Sequence, residues 1–255
     1  MCLILFAHDL HPHFRLVLAA NRDEFHARPT APAGRWSDGP HVVGGRDLEA
    51  GGSWLGVTSQ GRWAAVTNFR EGAEAVRVAR SRGRLVQDYL IGGDPPEQYV
   101  RMVVDAGNSY NGFNLLVGEG PDLFWASNRS SEAAPYRRLE PGVYGVSNHL
   151  LDTPWPKLVQ GKWRLSAVLA SADPPAPRPL LDLLMDRTVA LDHDLPSTGI
   201  ATKLERALSA AFIATPGYGT RSSSALLIDR ADGILFAERR FDEAGRTVDE
   251  TVIEV

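Results

Sequence analysis

Apolar residues occupy consecutive rather than alternate positions over 2–7 and again over 14–20, with His8, Asp9, His11, Pro12 and His13 between the two runs. That pattern predicts a hairpin whose strands are buried on both faces. A Pro- and Gly-rich stretch over 28–45 reads as a loop. Residues 54–58 and 63–67 read as a second strand pair, turning at Ser59, Gln60 and Gly61. Apolar positions at helical spacing then predict helices over 84–91 and 96–106, the second with Asp94 as its N-cap ahead of Pro95.

Short strands are predicted over 113–117, 123–127 and 143–146, separated by Gly, Pro and Asp, followed by helices over 155–172 and 180–186. Strands over 222–229, 234–239 and 247–255 close the chain, the first two joined by a tight turn at Ala231, Asp232 and Gly233. Strands, helices, strands, helices and strands in that order fit an α+β domain in which two mainly antiparallel sheets pack between helical layers. The proline-rich segment 172–179 resembles a linker. The helices around it hold too little apolar surface for a separate core, so the expectation is one domain over 1–255.

Composition narrows the function. At 255 residues with 44% hydrophobic side chains there is ample material for a core. Lys and Arg number 27 against 31 Asp and Glu, a net charge of -4 without a long basic run, which argues against a nucleic-acid partner. The apolar start lacks the positive region and the length of a secretory signal. No later apolar run approaches the roughly 20 residues that span a bilayer. The expectation is a soluble cytoplasmic protein without membrane insertion, its oligomeric state open to a homo-oligomer.

The single cysteine, Cys2, excludes an intrachain disulfide and a thiolate zinc cluster. Its place beside the initiator gives it a second meaning. Methionine aminopeptidase removes Met1 ahead of a small side chain, leaving a thiol and a free α-amine on one residue. An α-amine titrates at about 7.7 to 8.0 and is suited to act as base for that thiol. The bland alternative is a small buried hydrophobe in a first strand.

Directly after the second apolar run stands Asn21-Arg22-Asp23-Glu24. A hairpin centred near residue 11 or 12 places Cys2 opposite Ala20 or Asn21, with Asp23 diagonal to it and able to orient the α-ammonium; a solvated strand exit is the other reading. Asn68 and Asn148 each end a strand, where an uncharged amide donates well to a developing oxyanion but is also a common turn former. Arg221, just before a strand, is suited to position a thiolate or a substrate carboxylate. The block Gly51-Gly52-Ser53-Trp54-Leu55-Gly56 lacks the lysine and following helix of a phosphate loop and reads as a strand entrance. His8, His11, His13 and His26 lie near Cys2 in sequence and offer ligands to a haem iron, against the usual solvated role of loop histidines.

These blocks, with Thr67-Asn68-Phe69, Asn111-Gly112-Phe113-Asn114-Leu115, Ser147-Asn148 and Tyr218-Gly219-Thr220-Arg221, resemble the family named for its Asn-Arg-Asp-Glu motif, which includes the transport and Golgi organisation protein two homologues. That family in turn resembles the N-terminal nucleophile (Ntn) hydrolases, most nearly the penicillin V acylase and bile salt hydrolase type, with a four-layer αββα sandwich. The resemblance implies Cys2 as nucleophile, Asp23 beside its amine, Asn68 and Asn148 as oxyanion donors and Arg221 near the thiol. Asn21, Arg22, Trp54 and Phe69 become the candidate substrate contacts. One position departs from those hydrolases: Ala20 precedes Asn21 where they carry arginine, and the arginine here is Arg22, expected on the face opposite Asp23.

The implied activity is hydrolysis of a linear, non-peptide amide without a metal or cofactor. The alternative from another class is a non-catalytic haem-binding or haem-trafficking protein using the same cleft, with haem as its ligand. A scaffold role follows from the family's name alone.

Overall fold

The computed structural model describes residues 2–72, 80–131 and 135–255. Among the described residues, fourteen strands form two antiparallel sheets. One sheet contains β1 (Cys2–His8), β2 (Phe14–Phe25), β10 (Gly142–Val146), β11 (Ala214–Thr215), β12 (Tyr218–Asp229), β13 (Ile234–Phe241) and β14 (Thr247–Glu254), in the order β10-β1-β2-β12-β13-β14 with β11 against β12. The other runs in sequence order through β3 (Thr30–Trp36), β4 (Gly39–Asp47), β5 (Leu55–Thr58), β6 (Trp63–Asn68), β7 (Phe113–Glu119), β8 (Asp122–Ser127) and β9 (Tyr136–Arg138).

Burial on both faces of the first hairpin explains its uninterrupted hydrophobicity. Ile4 and Phe6 of β1 and Leu16, Leu18 and Ala20 of β2 point between the sheets, where they meet Val43, Leu55, Val57, Trp63 and Trp125. Leu3, Leu5 and Ala7, with Val17 and Ala19, point the other way onto α3 (Pro156–Leu169) and α4 (Pro177–Leu183) through Leu165, Leu180, Leu181 and Leu183. Against the outer face of the second sheet lie α1 (Gly83–Ile91) and α2 (Pro96–Asp105), packing Leu85, Val86, Tyr89 and Val100 on Ala64, Phe113, Leu115 and Val117. The layers are therefore helix, sheet, sheet, helix, as expected. A fifth short helix, α5 (Thr202–Ala207), precedes β11.

Several boundaries differ from the sequence reading. The 28–45 loop is in fact β3 and β4. Pro32 and Gly34 are tolerated in β3 because it is an edge strand, with irregular pairing between Ala31 and Gly34. The predicted cap Asp94 sits one residue too early: Pro95 occupies the N-cap, while the Asp94 carboxylate accepts from Gln98 Nε2 at 3.0 Å. Most consequential for function, β2 runs on through Asn21-Arg22-Asp23-Glu24 to Phe25. Asn21, Arg22 and Asp23 are 1%, 5% and 1% exposed, so this charged motif is buried strand and not a solvated exit.

Candidate functional site

The register of the first hairpin puts Cys2 opposite Arg22, one residue beyond the expected partners, and Leu3 opposite Asn21. Directly paired residues share a face, so Cys2 and Arg22 stand together at the end of the inter-sheet layer. Asn21 turns instead to the helical side. There its amide donates to the Ala211 and Leu184 carbonyls at 2.8 and 3.1 Å and accepts from Ser223 Oγ at 2.6 Å. Both side-chain polar atoms of Asn21 are thus committed, tying β2 to the end of α4, to the segment before β11 and to β12, and it does not line the cavity at Cys2. As a substrate contact it is corrected to a structural residue.

That cavity, about 350 Å³, is lined by Cys2, Arg22, Asp23, Trp54 and Asn68, joined by Glu24, Arg28, Asp47, Ser53, Arg80, Arg82 and Asn111 among others. Burial pushes the Cys2 thiol up, with Asp23 adding to the rise; Arg22 and a hydrogen bond from the Asp23 backbone N–H work against it. Asp23 is also raised by burial, opposed by Lys157, Thr220 and Arg22. Its Oδ1 accepts from Thr220 Oγ1 at 2.7 Å, and its backbone carbonyl accepts from Tyr218 Oη at 3.2 Å. β12 thereby fixes the carboxyl from the neighbouring strand. Arg22 lies on the opposite strand face from Asp23, as expected, yet both border the cavity, which opens around the end of β2.

Trp54 is the platform for Arg22, whose guanidinium carbon lies 4.5 Å above the ring centroid. Its position depends on glycine: a Cβ on Gly45 would fall 2.2 Å from the Trp54 ring. The Gly51-Gly52 pair serves the same region, since both have positive φ and Gly52 lies so near Gly83 O that a Cβ would stand 2.3 Å away. This block brings the chain against the start of α1.

The two asparagines separate in role. The Asn68 side-chain amide lines the cavity and makes no hydrogen bond to a described residue. Asn148, fully buried, donates Nδ2 to the Asn68 carbonyl at 3.0 Å and accepts from Ser147 Oγ, which also donates to the Cys2 carbonyl at 3.0 Å. Asn148 therefore braces Asn68 and is not itself among the lining residues, a correction to its assignment as a second oxyanion donor.

Arg221 is also corrected. The β2–β12 pairing shifts register between Thr220 and Ser222, and this bulge turns Arg221 away from the thiol. Its Nη1 donates to the carbonyls of Phe25, His26 and Arg28 at 2.9 to 3.1 Å, fastening the chain after β2. Phe69 packs against His149 with centroids 4.9 Å apart and the rings tilted by 37°, and it does not border the cavity.

Sequence reasoning missed Arg82, Arg80 and Lys157. The first two belong to Arg80-Ser81-Arg82-Gly83-Arg84, whose alternation of arginine with small residues ahead of a helix was the available signal. Lys157 gave none. It is 7% exposed, interacts electrostatically with Asp23 and donates Nζ to Leu208 O at 3.0 Å; burial pushes its ammonium down to about 8. Nearby, Arg70 and Glu205 form a buried ion pair at 2.5 Å joining the end of β6 to α5.

No histidine lines this cavity among the described residues. His8 borders a separate one of about 450 Å³ at the far end of β1 with Arg15, Trp63 and Glu119, and His11 and His13 pack by Phe14 at the turn beyond it. His26 follows β2 in the segment held by Arg221. The set imagined as iron ligands is therefore dispersed, and the residues at Cys2 do not fit a histidine-ligated haem. No helix among the described residues is long and apolar enough to cross a membrane.

A double antiparallel sandwich with Cys2 at the end of its first strand is the Ntn-hydrolase architecture. The same fold appears in a mutant conjugated bile acid hydrolase from Clostridium perfringens, with TM-score 0.56 and 8% identity, covering 100% of this chain and 92% of that one. An N-acylethanolamine-hydrolyzing acid amidase orthologue from Caenorhabditis elegans matches with TM-score 0.51 and 10% identity, over 89% of this chain and 92% of that one. At such identities the likeness is one of fold. The chain belongs to the Transport and Golgi organisation 2 family, whose profile matches residues 1–243. Transport and Golgi organization protein 2 homologues from Bos taurus and Homo sapiens are 36% and 35% identical to it, each over 94% of this chain and 92% of the relative. The Drosophila melanogaster protein is 28% identical over 93% and 91%.

Proposed function

We propose that the protein is an N-terminal cysteine amidohydrolase acting on a linear, non-peptide amide, with Cys2 as nucleophile once Met1 is removed. The observation that carries this reading is the convergence of Cys2, Asp23 and the Asn68 amide on one cavity.

The α-amine of Cys2, oriented by Asp23, takes the thiol proton as sulfur attacks the amide carbonyl and forms the C–S bond. The carbonyl oxygen becomes an oxyanion, to which the Asn68 amide donates. The α-ammonium then returns the proton to the leaving nitrogen and the C–N bond breaks. Water attacks the thioester, the C–S bond breaks, and the carboxylic acid leaves with the thiol restored. Asn148 acts through Asn68 as a positioning residue.

The haem-carriage alternative has weaker support, because the cavity has no histidine among its described lining and is bordered mainly by charged and polar side chains.

A panel of N-acyl amines assayed with wild type, Cys2→Ala and Asn68→Ala tests the reading. Cys2→Ala should be inactive, and Asn68→Ala should lower kcat about 10²- to 10³-fold, as loss of one oxyanion donor does, without lowering Tm. Turnover retained in Cys2→Ala rejects the mechanism.

A further inference from the structure

The charged groups around Cys2 do not cancel one another. Arg28 is engaged by Asp47 at 2.8 Å and by Glu49 at 3.1 Å, and Glu24 lies against it at 3.9 Å while accepting from the Phe25 N–H. One Asp23 oxygen is held by Thr220. The acids bordering the cavity are thus already committed. Arg22, Arg80 and Arg82 form no ion pair with a described residue.

Arg22 is the informative member, 95% buried by its 5% exposure. Its guanidinium makes no hydrogen bond to any described residue; Nη1 is sealed from solvent, and Nε and Nη2 are the donors left to face the cavity that Arg22 lines. Trp54, whose ring centroid lies 4.5 Å from the guanidinium carbon, offers a π face but no hydrogen-bond acceptor for the N–H groups. A buried guanidinium without an acceptor is costly, and the free space beside this one is the cavity that holds Cys2. Arg82 borders the same space and commits Nη1 to Gly112 O at 3.0 Å.

We propose that this cavity binds an anionic group, a carboxylate or a phosphate, through the Arg22 fork with Arg82 at its side. As a statement about substrate this rests on the hydrolase reading: the amide cleaved at Cys2 carries a negative charge close to the scissile bond. Arg22 is then a specificity residue.

The test is the rate of Cys2 alkylation by iodoacetate relative to iodoacetamide in the full-length protein. Sulfur bonds to the methylene carbon and iodide leaves in both cases. The reagents differ by one negative charge, and their rate ratio cancels any change in thiol ionisation. The folded protein should show a ratio about tenfold or more above that of the same chain unfolded in urea, the scale of one charge-assisted hydrogen bond. Arg22→Gln should return the ratio to the unfolded value, and Arg22→Lys should restore part of it.

Should Arg22→Gln fail to fold, Arg82→Gln should still lower the ratio. Inorganic phosphate and acetate, added as protectants, identify the better anion by which slows iodoacetate at lower concentration. A folded ratio equal to the unfolded one, an unchanged ratio in folded Arg22→Gln, or a Cys2 closed to both reagents overturns the proposal. The hydrolase reading fails separately: charge-selective labelling with no amide turned over leaves the anion site standing and removes its role in catalysis.

Discussion

The buried Lys157 amine shares its electrostatic environment with the Asp23 carboxyl and the Cys2 thiol. Lys157 is held by the Leu208 carbonyl and feels Asp23, yet burial prevails and lowers its ammonium from 10.5 to about 8. The folded chain thus releases this proton at a pH where the unfolded chain keeps it. Between those values the unfolded state binds more protons, so folding gains stability as pH rises. Urea titrations at stepped pH should show wild type gaining on Lys157→Met from about pH 8 to 10.5, by at most about 3 kcal/mol. Parallel curves for the two proteins would show that Lys157 is charged when folded. At this scale the sequence was partly legible. Cys2 stood out by its position, and Asn68 by ending a strand. Lys157 reads as an ordinary helical lysine, because nothing local to α3 tells which of its faces meets Asp23.

The strand β2 illustrates how elements decide what a motif means. Apolar patterning predicts its first half, and the charges that follow suggest an exit. The strand continues because β1 supplies backbone partners as far as Arg22 and β12 as far as Phe25. Alternation then sends Arg22 towards Cys2 and Asn21 towards α4. A bulge in β12 is not visible in the pattern, and it is what removes Arg221 from the thiol. Its place on the carbonyls of Phe25, His26 and Arg28 makes it a clamp. Arg221→Ala should lower the unfolding free energy by about 0.5 to 1.5 kcal/mol, as partly exposed carbonyls lose their donor to water, while iodoacetamide labels Cys2 at the wild-type rate. Slowed labelling with unchanged stability would return Arg221 to the thiol. The edge strand β3 and its inner neighbour β4 escaped the reading for a related reason: Pro32 and the neighbouring glycines are poor strand residues, and Pro32 is tolerated because one side of β3 needs no partner.

Across the whole molecule, the layer order follows from counting faces: two-sided burial of the first hairpin requires a sheet on one side and helices on the other. The cavity at Cys2 was less accessible to such reasoning. It is assembled from the start of β1, the far half of β2, the end of β6, the approach to α1 and Asn111, positions scattered along the chain from residue 2 to residue 111. What the assembled site requires is a free α-amine on Cys2 with an activated thiol. The direct measurement is intact mass of the protein purified from its native host, before and after brief exposure to a mild thiol-acylating agent at neutral pH. The account predicts a chain lacking Met1 that takes up one acyl group rapidly at Cys2 and releases it slowly by hydrolysis. A chain that retains Met1, or a Cys2 that acylates no faster than a thiol in urea, would contradict it and leave the Ntn fold without its chemistry.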